Sequence, residues 1–407
     1  MKHKRLIALL FILAVGAAAS PRRESLRQQA TDPAPVVIPF ELVNRHILFK
    51  VSINNSAPLS FILDTGDKFA VVSLARARAL GLNLQGEINI GGAGAGSLKG
   101  AYVRDAKLTV PGLPGHTEPV VLTLPLADLA AKFGQDIDGI IGGDFMKHFV
   151  VELDYQARVL RFHDKDQFVY SGSGESIPLS LNADGHATIP AEVAVNGREP
   201  IKGNFVVDIG SGGGLVLHSP TTKAEHLPEP TQKTIRVFGA GGAGGKISGR
   251  IGRLPALTIG KFRIDEPVTI FSSDQRGAFA NGAQQGNIGQ RILSKFTIFF
   301  DYAHARMILE PNASFKNAIG AIGGGLALVA EGAAYQTFRV EELLEDSPAT
   351  EAGLQKDDII LAVNDRPATA FTLSSLNEMF EQPRAQKLSI RRGAETLQVT
   401  LTPRKLI

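Results

Sequence analysis

Two short stretches of this sequence place an acid where it can do chemistry. Phe61-Ile62-Leu63 runs into Asp64-Thr65-Gly66, and Phe205-Val206-Val207 runs into Asp208-Ile209-Gly210, an offset of 144 residues. Each is an apolar run ending in Asp-x-Gly. Two carboxylates brought close together repel when both are charged, so the pair retains one proton well above the pH at which a lone carboxylate loses it. Such a pair holds a general acid and a general base in one place. Which member carries the proton is a property of the coupled pair, and the sequence does not assign it. Gly66 and Gly210 suit the tight turn that would aim each carboxylate inward, where a Cβ would crowd the opposing loop.

The elements that must position these acids are themselves repeated, with a period of about 145 residues. After each Asp-x-Gly comes a brief helical pattern, Ser73 to Leu80 with Gly81 behind it, and Ser219-Pro220 through Glu225. Next is a glycine-rich stretch: 91 to 100 leads to Leu108-Thr109-Val110, and 239 to 249 leads to Leu257-Thr258-Ile259. Last, Ile140-Ile141-Gly142 precedes Phe149 to Tyr155, and Asn287-Ile288-Gly289 precedes Phe296 to Tyr302. The runs are short, rich in Val, Ile, Phe and Thr, and punctuated by Gly, Pro and Asn. This order predicts two like-folded, mainly β lobes, residues 36–170 and 171–312.

These landmarks resemble the aspartic proteases, specifically bacterial proteins with tandem retropepsin-like lobes, over roughly residues 36 to 312. Asp64-Thr65-Gly66 matches the Asp-Thr/Ser-Gly signature of that family. The resemblance implies two duplicated β-barrel lobes related by a pseudo-twofold axis, with Asp64 and Asp208 as the catalytic pair. It implies that they orient one water, which the ionised member deprotonates while the protonated member polarises the scissile carbonyl. Thr65, Gly66, Gly210 and Ser211 would support the catalytic loops. Gly92, Gly94 and Gly96 in the first lobe, with Gly241, Gly242 and Gly244 in the second, occupy the place of flaps that close over a peptide or protein substrate.

Three positions depart from the pattern. Ile209 stands where the family has Thr or Ser, so only Thr65 can contribute a hydroxyl between the two loops; one lost bond costs about 1 kcal/mol. Asp67 is a third carboxylate beside the first signature and would favour protonation of the pair. It is either neutralised by Lys68 or turned outward, the commoner fate of adjacent charged residues. Asn287 is polar where Ile140 is apolar.

Beyond Pro311 the repeat ends. A link over 313–321 leads to Gly323-Gly324-Gly325-Leu326, then Asp346-Ser347-Pro348-Ala349, Ala352-Gly353-Leu354 and Asp357-Asp358-Ile359-Ile360. This series resembles bacterial PDZ domains and predicts an α+β PDZ domain over 322–407. The resemblance implies that a C-terminal peptide adds as a strand to a sheet edge, its carboxylate held by the loop at Gly324, Gly325 and Leu326. A helix over Ser374 to Glu381 would wall the groove. Its Leu376 and Phe380 fit core or groove equally well.

Composition sets limits. With 407 residues, 44% hydrophobic and 20% charged, the chain can bury several cores. Lys2, Lys4 and Arg5, the apolar run Leu6 to Val15 and the small residues Gly16 to Ala19 read as a signal peptide over 1–19 rather than a retained anchor, because the run is shorter than a bilayer span. A linker over 20–35 follows. This predicts export to the periplasm or cell envelope, with no stable membrane span after cleavage. Without residues 1–19 the charge is near neutral, and no basic stripe predicts a nucleic-acid partner.

Cysteine is absent, which excludes disulfides and thiol chemistry. No cofactor or metal is expected: the nine histidines form no His-Glu-x-x-His cluster, and His148 and His218 read as structural or surface residues. Gly239-x-Gly241-x-x-Gly244 leads into strand-like sequence, against a dinucleotide site, and Ile247 after Lys246 breaks a phosphate-loop pattern. Because the duplication supplies both halves of a site, a monomer suffices. Two readings follow: an exported aspartic endopeptidase with a PDZ module for substrate or tethering, or a catalytically impaired protease-fold protein that binds peptides as a scaffold.

Overall fold

The computed structural model describes residues 34–242, 244–320 and 323–407. The predicted signal peptide lies outside them. Strand formation follows the apolar runs, and most are buried on both faces. Phe61, Ile62 and Leu63 are almost wholly inaccessible, as are Phe205, Val206 and Val207. Continuous apolar runs of this kind belong in the middle of covered sheets.

In the first lobe, Leu59–Leu63 sits between His46–Ile53 and Gly139–Ile141, and the sheet continues through Val71–Ser73, His116–Leu124, Ser97–Thr109 and Gln85–Gly91. It closes on itself where Ser52 pairs with Thr109 and Ile53 with Leu108. The second lobe repeats the central arrangement. Phe61 pairs in parallel with Gly139 in one, and Phe205 with Gly286 in the other. The register therefore makes Asn287 the counterpart of Ile140.

The lobes are joined by a six-stranded sheet to which each contributes three strands. Val36–Pro39, Val159–Asp164 and Phe149–Asp154 come from the first, and Phe296–Asp301, Arg306–Pro311 and Glu175–Pro178 from the second. At its centre Val150 faces Asp301 and Leu153 faces Ile298. This seam holds the two Asp-x-Gly loops in register with each other.

The described part of the link, residues 313–320, is anchored to the body. Phe315 packs edge-on against Phe296 and Phe262, Ile319 is buried, and Lys295 Nζ donates to the carbonyls of Ser314, Phe315 and Asn317. It delivers the chain to an antiparallel sheet of Leu326–Glu331, Thr337–Leu343, Ile359–Val363, Gln386–Arg392 and Glu395–Leu401. The helix Leu373–Phe380 covers this sheet and starts in a capping box made by Thr372 and Ser375. Leu376 and Phe380 point into the core with Phe338, Val340, Leu388 and Ile390, which decides between the two roles open in the sequence. The architecture is mainly β, two like lobes and an α+β C-terminal domain.

Candidate active site

The two Asp-x-Gly loops are built by matching backbone bonds. Asp64 N donates to Ile141 O at 2.9 Å, and Asp208 N to Ile288 O at 2.9 Å. Gly143 N donates to Asp67 O at 2.8 Å, and Gln290 N to Ser211 O at 2.8 Å. The segments Ile140-Ile141-Gly142 and Asn287-Ile288-Gly289 thus each lie beneath one loop and fix its height. Gly66 N donates to Asp64 Oδ1 at 2.7 Å.

The carboxylates converge. A Cβ placed on Gly66 would lie 2.9 Å from Asp208 Oδ1 and 3.0 Å from Asp64 Oδ1, so oxygens from both acids surround one point. A Cβ on Gly210 would lie 2.0 Å from Asp64 Cγ. Glycine is required there because any side chain would occupy the space of the opposing acid.

Burial drives the carboxyl of Asp64 well above the usual carboxylate range, and the charges of Asp67 and Asp208 add to the effect. Asp208 is also raised by burial, but Asn287 and the backbone N–H groups of Ser211 and Gly210 pull it back. Asp67 turns inward rather than outward: burial and the charge of Asp208 raise its carboxyl to about 6. Lys68 does not neutralise it; its ammonium lies over the Phe69 ring, 4.9 Å from the centroid. The peptide N–H groups that fix the loop also hold Asp67 beside the pair, which the rule for adjacent surface charges does not capture.

Thr65 bridges the loops through its hydroxyl, beside the backbone N–H of Gly210 that reaches Asp64. Its Oγ1 accepts from Ile209 N at 3.0 Å and donates to Val207 O at 2.5 Å. Ile209 buries its side chain fully and offers no hydroxyl in return. Its carbonyl instead accepts from Gln290 Nε2 at 2.7 Å, and Gln290 Oε1 accepts from Tyr155 OH at 2.5 Å. Ser211 stays on its own loop, its Oγ accepting from Gly213 N at 3.4 Å.

The sequence marks Asn287 only as a departure from the repeat and assigns it no role; its Nδ2 donates to Asp208 Oδ2 at 2.8 Å. Its Oδ1 lies 2.8 Å from Nε2 of the buried His218. A polar residue in the slot of Ile140 was the available signal.

The glycine-rich stretches meet each other. Gly96 N donates to Gly244 O at 2.7 Å, Gly244 N to Ala93 O at 2.9 Å, and Ala278 N to Gly92 O at 3.0 Å. Gly94, at φ +97°, leaves no room for a Cβ, which would lie 2.6 Å from the carbonyls of Gly244 and Gly245. In the second lobe Gly241–Gly242 pairs with Gly245–Lys246 as a short ribbon.

Glu342, on the C-terminal domain, receives Arg236 at 2.7 Å, Lys246 at 2.6 Å and Gly239 N at 3.3 Å. This domain therefore braces the second glycine-rich stretch. It also meets the first lobe: Tyr335 OH donates to Asp136 at 3.0 Å, Asn377 Nδ2 to Asn44 Oδ1 at 3.0 Å, and Arg45 pairs with Glu381. The helix Ala127–Phe133 lies alongside the edge strand Leu326–Glu331 and the helix Leu373–Phe380, with Gly134 against Leu373 and Ala330. In the glycine loop, the carbonyls of Gly323, Gly324 and Gly325 accept from Arg404 N, Ala349 N and Leu344 N at 3.1, 3.0 and 2.8 Å. Leu326 packs against the domain's own core.

Among the described residues no group of three or more His, Cys, Asp or Glu side chains is placed to hold a metal ion, and no helix is long and apolar enough to cross a membrane.

Residues 49–145 match the family described as aspartyl protease, and residues 339–391 match the family described as PDZ domain. A stretch of 67 residues is 33% identical to serine protease HTRA1 of Xenopus laevis, spanning 16% of this chain and 14% of that protein; it falls in the PDZ region. The aspartic proteinase from Irpex lacteus aligns structurally at 13% identity and a TM-score of 0.42, covering 70% of this chain and 100% of its own. The chain carries an aspartyl-protease domain and a PDZ domain.

Proposed function

We propose that this chain, an aspartyl-protease body joined to a PDZ domain, is an aspartic-type endopeptidase that hydrolyses peptide bonds with water. The observation that carries this reading is the convergence of Asp64 and Asp208 oxygens within 3.0 Å of a single point. A water held between the two carboxylates can lose a proton to the ionised one while the protonated one donates to the scissile carbonyl. Collapse of the resulting tetrahedral species returns a proton to the leaving amine, and no covalent intermediate forms. The flap ribbons would close over an extended peptide and exclude bulk solvent, which strengthens each charge interaction beneath them.

The PDZ domain would select or tether substrates by peptide termini, with Gly324, Gly325 and Leu326 as the carboxylate loop. The basic, apolar and small-residue order of residues 2–19 supports export to the periplasm or envelope. A scaffold without turnover is the second reading, favoured by the absence of a hydroxyl at Ile209.

The test is digestion of a diverse peptide mixture in 18O-enriched water from acidic to neutral pH. The wild type should release new carboxyl termini carrying the isotope, and Asp64→Asn and Asp208→Asn should each abolish them. Equal cleavage by all three proteins would remove these residues from the reaction, and no cleavage by any of them would favour the scaffold.

A further inference from the structure

The two lobes treat their aspartates differently, and one of the differences is a hydrogen-bonded row in the second lobe. In the second lobe, Asn287 Nδ2 donates to Asp208 Oδ2 at 2.8 Å. On the other side of the amide, Asn287 Oδ1 lies 2.8 Å from His218 Nε2, and His218 Nδ1 lies 2.9 Å from the carbonyl of Asn281. Asn287 and His218 are both buried. In the first lobe the strand register places Ile140 in the slot of Asn287, and an isoleucine can neither donate nor accept. Asp208 Oδ2 is thereby committed to the amide, while Oδ1 is the oxygen turned toward the point shared with Asp64.

The donor count gives the row its meaning. Asn281 O and Asn287 Oδ1 only accept, so both ring nitrogens of His218 face acceptors and both are satisfied when each carries a proton. The charged imidazole then fixes the amide with its N–H groups toward Asp208 Oδ2, which must accept; this keeps a proton off Oδ2 and stabilises the ionised carboxylate. A neutral imidazole protonated at Nδ1 presents a lone pair at Nε2. The amide then turns over, and its oxygen faces an Asp208 that must donate. The Asn287 amide thus has two orientations, and each one ties the state of His218 to the state of Asp208. Burying a charge without a partner is costly, so charge on one end favours opposite charge on the other.

We infer that His218 and Asn287 are positioning residues that keep Asp208 the ionised, water-activating member of the pair and leave the proton on Asp64. The inference rests on the peptidase reading for its consequence, not for its geometry. Neither residue touches the reacting atoms; they act through Asp208. Asp64 and Asp67 face Asp208 from the first lobe. His218 meets the Phe279 ring, 5.6 Å away between centroids. The neighbouring buried Asp274 is engaged by Ser272 Oγ and Ser248 N. Burial raises both carboxyls, Asp64 well above the usual carboxylate range, while Asn287 pulls Asp208 back down; burial lowers His218, and its bonds to Asn287 and the Asn281 carbonyl oppose that.

The experiment is a pH titration of the His218 ring nitrogens by 15N NMR in the full chain, comparing wild type, Asp208→Asn and Asn287→Leu. Asp208→Asn is isosteric and removes the charge at the far end of the row. It should lower the midpoint of His218 by about one pH unit, a tenfold loss of proton affinity. Asn287→Leu should produce a shift in the same direction. In cleavage assays Asn287→Leu should move the acid limb of kcat/KM to higher pH with KM unchanged, because Asp208 loses the donor that stabilises its ionised form. An unchanged His218 titration in Asp208→Asn would overturn the inference. A wild-type protein that cleaves nothing, with His218 still responding to Asp208, would refute the peptidase reading and leave the coupling standing.

Discussion

Replacing Thr65 by valine tests how the two Asp-x-Gly loops are held together. The exchange nearly conserves volume, so the buried site keeps its shape and loses only the hydroxyl. That hydroxyl accepts from Ile209 N at 3.0 Å and donates to Val207 O at 2.5 Å, and both partners sit where water cannot replace it. An unsatisfied buried backbone group costs about 1–3 kcal/mol, so two of them should cost about 2–4 kcal/mol after some relaxation. Because position 209 is isoleucine, no reciprocal hydroxyl buffers the loss. The natural readout is native-state hydrogen exchange at the Ile209 amide, since each 1.4 kcal/mol changes an equilibrium constant tenfold. Thr65→Val should speed exchange there by about 30-fold or more, while Thr65→Ser should change it by less than about tenfold. An Ile209 amide that exchanges at the wild-type rate in Thr65→Val would refute the bridge.

Three further outcomes are expected. Asp67→Asn removes a negative charge that helps Asp64 keep its proton, so the basic limb of cleavage should move to lower pH. Asp67 itself binds protons more tightly when folded, with its carboxyl raised to about 6 against about 4 in an unfolded chain. Its contribution to stability therefore falls as pH rises from about 4 to 6, and Asp67→Asn should flatten that part of the melting-temperature profile. Glu342→Gln weakens the bonds to Arg236, Lys246 and Gly239, and amide exchange at 244–247 should rise about tenfold; unchanged exchange would contradict the brace. Removing Arg45 and Asp136 together, each by alanine, cuts two ties between the PDZ domain and the first lobe. Exposed ties of this kind contribute about 0.2–1 kcal/mol each. A peptide with a free apolar C-terminus should then bind about threefold to tenfold more tightly by fluorescence anisotropy, and equal binding would show that the helix Ala127–Phe133 does not shield the groove.

Much of the fold was legible because a duplication writes the same information twice. Asp64 and Asp208, the glycine stretches and the apolar-Gly segments recur in one order, and the observed registers follow that order. The PDZ series was legible from its turn residues. What escaped the sequence were contacts between distant positions. Asn287 and His218 are 69 residues apart, and Tyr155 reaches Gln290 across 135; neither pair lies within a local pattern. Asn287 was visible only as a broken repeat, a polar residue in an apolar slot. Asp67 was misread because the rule for adjacent charges assumes a solvent face, whereas its backbone is tied into the first Asp-x-Gly loop by Gly143. The grip of Glu342 on the second glycine-rich stretch depends on how two domains dock, and surface charge composition does not encode docking.

The claim on which the rest depends is that Asp64 and Asp208 share one proton at the seam between the lobes. A 13C NMR titration of the two aspartate carboxyls measures this directly. Asp64 should remain protonated well above the usual carboxylate range while Asp208 ionises first, and Asp208→Asn should bring Asp64 down by removing its charged neighbour. Two independent titrations near pH 4, each indifferent to loss of the other acid, would contradict the account.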